Sequence, residues 1–595
     1  MTRKNIFQYI CPLLTFFGIW MFLWLMCPQY LLYHEQNQLF LFSGSYFTDS
    51  ISVPGGMADY LSEFIVQFYY VPLYGAMLTA FVLTLSQVFS GLAFRRCDIA
   101  KTAFPLSAIA PLLYTGAMSD ENILLSFAVA MALTTLFIYL ATLPGNLSTL
   151  TCSITLITGF VILYWIAGPI AIAFVIAAAI LHRRPKAVAI CIPVAFIIVS
   201  AIHYTLFEQY PLSRMLKGLN YYRVPEIYPS ILFVITGVIS LLPLISLVKA
   251  RPHRLLAYAS EATVAIFAVI YIPLSFDKPK SDILAYDSLV RQQRWHDIIE
   301  KAQKENPTDL FSLQAVNLAL GITGQLTEAM FRYNQNGVEG LIGKDRLDNT
   351  TQLVTAEALY HLGLTNIAFS TTFDLQESIM NDRKSGRLMK RMAECMIIHG
   401  NYKVAAKYIG ILRNSLFYAG WARRAETLLE NDSAVNAHPV YGQLRRNAFC
   451  KEAFYDHTQI HKILAMLALG NGGNNYLAWQ YFCAASMLGG DLATLIGIYN
   501  SSPGQYSKMP IPRHVQEAIA MYWTFSHPTF EGVPFPLSQD VKQQTAALAQ
   551  AVMKNKNNPA AWQKAAPGTY GLYFINKSYY GNQPEPSIKY QPTHE

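Results

Sequence analysis

Apolar positions along this chain follow two patterns that change over near residue 276. Before that point they form unbroken runs at about 9–27, 70–92, 102–118, 123–143, 150–166, 168–182, 187–206, 229–248 and 255–275. A helix needs about 20 such residues to cross about 30 Å of hydrocarbon, so the runs predict about nine spans in a polytopic membrane domain over 1–275. The two runs flanking Gly168-Pro169 read either as two spans or as a re-entrant pair. From Lys278 onward the pattern becomes amphipathic, with helical stretches separated by short polar breaks. The breaks at Arg294-Trp295, Gly324-Gln325, Gly363-Leu364 and Gly400-Asn401 lie 30, 39 and 37 residues apart, and Gly490-Asp491 opens a similar stretch. Small residues at Ala329, Ala368 and Ala405 would let paired helices pack closely. The predicted fold class is all-α: a helical membrane domain, then an α-solenoid over 276–500. An irregular and helical extension follows over 501–580, and a disordered tail over 581–595.

Loop charge orients the runs. With the N-terminus inside, eleven cationic residues face the cytoplasm, among them Arg95, Arg96, Arg183, Arg184 and Lys186. The external loops hold only three, Arg214, Lys217 and Arg223. This positive-inside bias and an odd number of spans put everything after residue 275 outside the cytoplasm. Only 14% of the chain is charged, against about 25% in an average soluble protein. Fourteen Lys and Arg against ten Asp and Glu precede residue 276, and 31 against 27 follow it. Neither half is strongly basic, and no basic stripe interleaved with aromatics suggests nucleic-acid binding. Eight cysteines without a CxxC spacing argue against a zinc knuckle or a dense disulfide framework.

Candidate chemistry gathers in the external loops. The first, about 34–67, carries His34, Glu35, Asp49, Asp59 and Glu63 and no Lys or Arg. Pro54-Gly55-Gly56 then turns the chain into an apolar stretch, Met57–Phe68, suited to a helix on the membrane surface. The second holds Asp120 and Glu121, and the fourth, 207–228, gathers Arg214, Lys217 and Arg223 among tyrosines. A carboxylate there could deprotonate an acceptor hydroxyl or hold a divalent metal, and cations could neutralise a phosphate leaving group. The bland reading is that external loops are acidic because bases stay inside, and that the cations touch lipid headgroups. His457 and His461 are one helical turn apart, but lack a placed third ligand.

These loops, in this order, resemble the GT-C superfamily of polyprenyl-phosphate-sugar-dependent glycosyltransferases. The shared features are a basic cytoplasmic start, an acidic first external loop with a surface helix, a second helix ending in Arg and a third opening into an acidic loop. The repeat region resembles a degenerate tetratricopeptide (TPR-like) solenoid, a tail that some O-mannosyltransferases of that superfamily also carry. The chain as a whole also resembles inner-membrane proteins of Bacteroidota, which would make the outside a periplasm. The resemblance implies Glu35, Asp120 and Glu121 as catalytic carboxylates, and a divalent metal as a possible cofactor. It further implies His34, Asp49, Arg214, Lys217 and Arg223 around the donor. The implied partners are membrane lipid, a polyprenyl-phosphate-linked sugar, and a periplasmic protein or glycan on the solenoid. The alternative is a non-enzymatic scaffold for an envelope assembly. Transport is disfavoured because the middles of the runs are nearly free of charge.

Overall fold

The computed structural model describes residues 3–96, 105–145, 147–247, 254–343, 349–381, 383–448, 460–470, 473–501, 506, 508–556 and 558–580. His457 and the expected tail at 581–595 lie outside them. The described residues form helices and no strand; an isolated antiparallel bridge joins Ile123 to Tyr222. The chain divides into two compact units. The first comprises Met1–Leu284 together with two later stretches, Ile379–Arg387 and Gly410–Arg423. The second comprises Ala285–Ser378, Leu388–Ile409 and Arg424–Glu595.

The first unit is built from α1 (Arg3–Met26), α2 (Pro28–Gln36), α3 (Gly44–Ile51), α4 (Gly56–Val66), α5 (Pro72–Arg96), α6 (Ile109–Ala117) and α7 (Leu125–Ala141). It continues through α8 (Thr149–Ala167), α9 (Ala171–Leu181), α10 (Pro185–Leu206), α11 (Leu212–Lys217), α12 (Ile231–Leu241) and α13 (Arg254–Ser275). Among the described residues three of these, α5, α8 and α10, are long and apolar enough to cross a membrane by length and composition, and up to five spans result if each bent pair counts as one. Fewer of the described helices pass than the nine runs predict because several are too short, such as α7 with 17 residues and α9 with 11, or are bent at a break. α9, with 11 residues, rises only about 17 Å. Gly168-Pro169 makes the break before it, with Gly168 at φ +84° and the Tyr221 hydroxyl donating to Ala167 O. A Cβ on Gly168 would sit 2.7 Å from that hydroxyl, so only glycine fits the turn.

Polar contacts collect at two ends of this apolar bundle. At one end the Arg96 guanidinium donates to Thr142 O, Arg184 Nε donates to Leu147 O at 2.9 Å, and the His182 ring bonds Ala141 O at 2.8 Å. At the other, Gly55 N–H donates to Trp165 O at 2.9 Å, Leu124 N–H to Tyr221 O at 3.0 Å and the Ser119 hydroxyl to Ser275 O at 2.6 Å.

The second unit contains α15 (Trp295–Glu305), α16 (Leu310–Ile322), α17 (Leu326–Ala329), α18 (Asn349–Leu362) and α19 (Thr365–Glu377), after α14 (Lys278–Arg291) has crossed the division at Leu284. α20 (Gly386–Ile398) and α21 (Tyr402–Arg413) each have most of their residues in the second unit and the rest in the first. One closure recurs between successive helices. Gly324, Gly363, Gly400 and Gly490 all sit at positive φ. The N–H of each following residue donates five residues back: Gln325 to Leu320 O, Leu364 to Leu359 O, Asn401 to Met396 O and Asp491 to Ser486 O. This glycine-centred cap satisfies carbonyls that a helix end otherwise leaves orphaned. Gln293 makes the same turn without glycine, with Arg294 N–H donating to Leu289 O. Ala368 and Ala405 are fully buried, as helix pairing requires, and from Phe311 to Gly321 every residue of α16 is buried.

Candidate functional site

Cys27 ends α1, and Pro28, which lacks an N–H to continue the ladder, starts α2. α2 turns 79° from α1, so His34 to Gln38 lie along the end of the first unit. His34, Gln38, Glu121 and Arg223 line one small cavity there with Met380 and Arg383. His34 and Gln38 are buried, and among the described residues His34 Nε2 and both ends of the Gln38 amide have no hydrogen-bond partner. Burial pushes the His34 imidazole down to about 4, against an upward pull from Glu121 and reinforced by Arg223. At neutral pH it is therefore a neutral ring with a vacant nitrogen.

The other groups at this end are already engaged. Arg223 Nη1 donates to the Tyr33 hydroxyl at 2.5 Å, and Glu121 pairs with Lys280 at 2.7 Å. Arg383 is held between two buried carboxylates, with Nη2 2.7 Å from Asp59 and Nε 2.9 Å from Glu63. Burial raises both acids while Arg383 pulls them down. Arg387 Nη1 donates to Gln36 Oε1 at 2.9 Å, and Leu39 N–H to Lys384 O at 2.8 Å. Arg214 Nη2 donates to Asn381 Oδ1 at 2.6 Å. The stretch 379–387 thus grips α2, α4 and the 207–228 loop at once.

Of the residues implied by the resemblance, the structure brings His34, Glu121 and Arg223 together. Glu35 is buried but does not line the cavity; its Oε1 accepts from the Tyr418 hydroxyl at 3.0 Å. Neighbours on a helix point about 100° apart, and Glu35 turns towards Tyr418 instead. Asp120 Oδ1 accepts the Asn122 N–H at 2.9 Å, and burial lifts its carboxyl above the usual range. Asp49 is exposed on α3, and Lys217 lies 5.7 Å over the Tyr228 ring. Arg214 stands 5.5 Å over Tyr210. Among the described residues no three His, Cys, Asp or Glu side chains are grouped to hold a metal ion. One carboxylate beside two guanidiniums is a poor donor set for a divalent cation.

Arg383, Asn381, Arg387 and Tyr418 were not legible as site residues. They sit in the amphipathic half of the sequence, and a run such as Asn381 to Gly386 reads as an ordinary polar break.

What these features define is an all-helical protein with a few helices able to cross a membrane and a polar, partly buried site at one end of them. Over residues 2–577 the sequence matches the model of a family described as one of unknown function, DUF6057, and the chain belongs to that family. No curated protein and no solved structure matches it.

Proposed function

We propose that this chain is an integral membrane glycosyltransferase of the GT-C type, moving a sugar from a polyprenyl-phosphate-linked donor on the extracytoplasmic side. The observation that carries the reading is the meeting of His34, Glu121 and Arg223 in one cavity. The acceptor hydroxyl attacks the sugar carbon, the bond from that carbon to the phosphate oxygen breaks, and the hydroxyl proton passes to His34 Nε2. Arg223 offsets the charge on the departing lipid phosphate. An arriving phosphate would also lift the imidazole towards a pKa useful for a base. Glu35 then positions α2 through Tyr418 rather than taking the proton. Glu121 favours the charge that the imidazole gains with the proton, and no step runs through a metal.

The topology in this reading is nine spans, with the N-terminus in the cytoplasm and residues 276–595 in a periplasm. Its support is that Arg96, Arg184 and His182 share one end of the bundle while the loops of the site share the other. The recurring glycine closures support a TPR-like array that recruits a glycan or protein partner. A non-enzymatic scaffold is the second reading, and one observation favours it: Arg383, Glu35 and Glu121 already hold partners within the fold.

Envelope glycans of a deletion strain, complemented with wild type or variants, separate the two. Transfer predicts that His34→Gln lowers activity about 100-fold or more, with expression unchanged. Arg223→Ala should weaken donor use. Unaltered glycans in the deletion strain, or full complementation by both variants, would remove the transferase. A reporter fused after Phe276 should be active only outside the cytoplasm.

A further inference from the structure

Helix α4 is built inside out. Its inward side carries Asp59, Ser62 and Glu63, all buried, with both acids on Arg383. Its outward side carries Met57, Tyr60, Leu61, Phe64 and Ile65, at the spacing of one helix face. The exposed positions of α4 are Leu61 and Phe64, at 37% and 39%. A helix packed on a core in water does the reverse, with its apolar stripe in and its charges out.

Chain from the amphipathic half of the sequence extends this surface within the same unit. Phe42 N–H donates to Asn414 O at 2.8 Å. The Phe417 ring stacks 5.0 Å from Tyr70 and meets Phe68 edge-on at 5.9 Å, while Phe42 and Phe64 pack 6.4 Å apart. Leu416 is 48% exposed and Phe42 52%. Ser415 between them is buried, its hydroxyl donating to Leu412 O at 2.7 Å, so 414–418 repeats the inversion of α4. Helix α3 lies at one edge, with Phe47 5.0 Å from Tyr60 and with Thr48, Asp49 and Ser52 exposed.

An exposed apolar surface of this kind marks contact with another protein or with a membrane. Continuity decides between them. The chain runs from Tyr70 into α5, where the exposed residues before Arg95 are Tyr74, Met77 and Phe81, on one face. α5 is long and apolar enough to cross a bilayer, and that face would meet acyl chains. No exposed polar residue separates it from Tyr70. Trp20 Nε1 donates to Leu73 O at 3.2 Å, and the Trp24 ring stacks on Trp20 with 6.4 Å between centres. Tryptophan and tyrosine gather where hydrocarbon gives way to headgroups, and here both stand where the aromatic surface joins α5.

We propose that residues 414–418 and the outer face of α4 rest in the headgroup–acyl boundary of the membrane that α5 crosses, with bilayer lipid as the occupant. A stretch of the amphipathic half is then a membrane contact, and Tyr418, which holds Glu35, sits at headgroup depth. The inference goes beyond the transfer reading and shares with it only the passage of α5 through the bilayer.

The test places the photo-crosslinking amino acid p-benzoylphenylalanine at Leu416, Phe42, Phe81 or Asp49 of the full chain. Each protein is irradiated in nanodiscs of phosphatidylethanolamine and phosphatidylglycerol, and mass spectrometry counts lipid adducts. Positions 416 and 42 should give at least about a third of the yield at 81, and Asp49 about tenfold less than 81. Where the probe at 416 lowers the thermal midpoint, position 42 decides. Yields at 416 and 42 no higher than at Asp49 would overturn the lipid contact. Adducts to a second copy of the chain in place of lipid would make the surface a dimer interface and overturn it too. Silence at 81 as well would overturn the span along with the contact. Lipid adducts are read without turnover, so this measurement and the glycan assay fail independently.

Discussion

Arg383 and Arg391 are eight residues apart, and each lies buried between two carboxylates, yet they belong to different units. Arg383 reaches Asp59 and Glu63, more than three hundred residues back along the chain. Arg391 pairs with Glu394 on its own helix at 2.7 Å and with Glu357 on α18 at 2.5 Å, and stacks 3.6 Å from the centre of the Tyr360 ring. The same chemistry thus serves two kinds of construction. In the second unit, the buried charge of Arg391 is neutralised by acids on its own helix and on α18. In the first, a late stretch of chain returns to complete an earlier loop, so neither part is satisfied alone.

Removing either arginine should produce the largest effect. Arg383→Met and Arg391→Met each strand two buried acids, and should cost about 3–5 kcal/mol. Thermal scans in detergent give the size, and hydrogen exchange gives the place. Arg383→Met should loosen α2 and α4, and Arg391→Met should loosen α18 and α20. Adding Asp59→Asn and Glu63→Gln to Arg383→Met should restore much of the loss. A fully stable Arg383→Met protein would end the account of 379–387 as a clamp.

Acid should affect the two units alike. Each buries a histidine whose pKa is pushed down to about 4, His34 in the first and His361 in the second, where burial outweighs the upward pull of Glu357. A depressed histidine pKa favours the neutral ring in the folded state. Its stabilisation is complete above the unfolded value of about 6.5 and is lost as pH falls from there towards 4. The loss should reach about 3 kcal/mol per site. Melts between pH 7 and pH 4.5 should show it, and His361→Gln should flatten the slope for the second unit. An equal slope in that variant would mean that the acid sensitivity arises elsewhere.

The smallest effect belongs to Tyr418→Phe. It removes the hydroxyl that donates to Glu35 and should cost about 1–2 kcal/mol, with no change in the glycan assay beyond that loss. A drop in glycan transfer near that of His34→Gln would return Glu35 to the chemistry.

Much of the second unit's local structure was legible. Glycine at 324, 363, 400 and 490 marks helix ends because a left-handed residue is needed there, and that need is written in one residue type. His34, Glu121 and Arg223 were legible as candidates because charge in an external loop stands out against apolar runs. Helix lengths in the first unit were less so. The break at Gly168-Pro169 was legible, but hydropathy counts residues without regard to backbone, and the helix after it has only 11 residues, too few for a span.

The sequence by itself determined the all-helical class, the change of pattern near residue 276 and the glycine-marked turns, because these depend on residues within a few helical turns of one another. Only the tertiary structure decided that residues 379–387 and 410–423 belong with the first unit, that Glu35 faces Tyr418, and that Arg383 closes the cavity beside His34. A buried ion pair leaves no periodic trace in either partner's neighbourhood. Its stability depends on desolvation and geometry that exist only once distant segments have met.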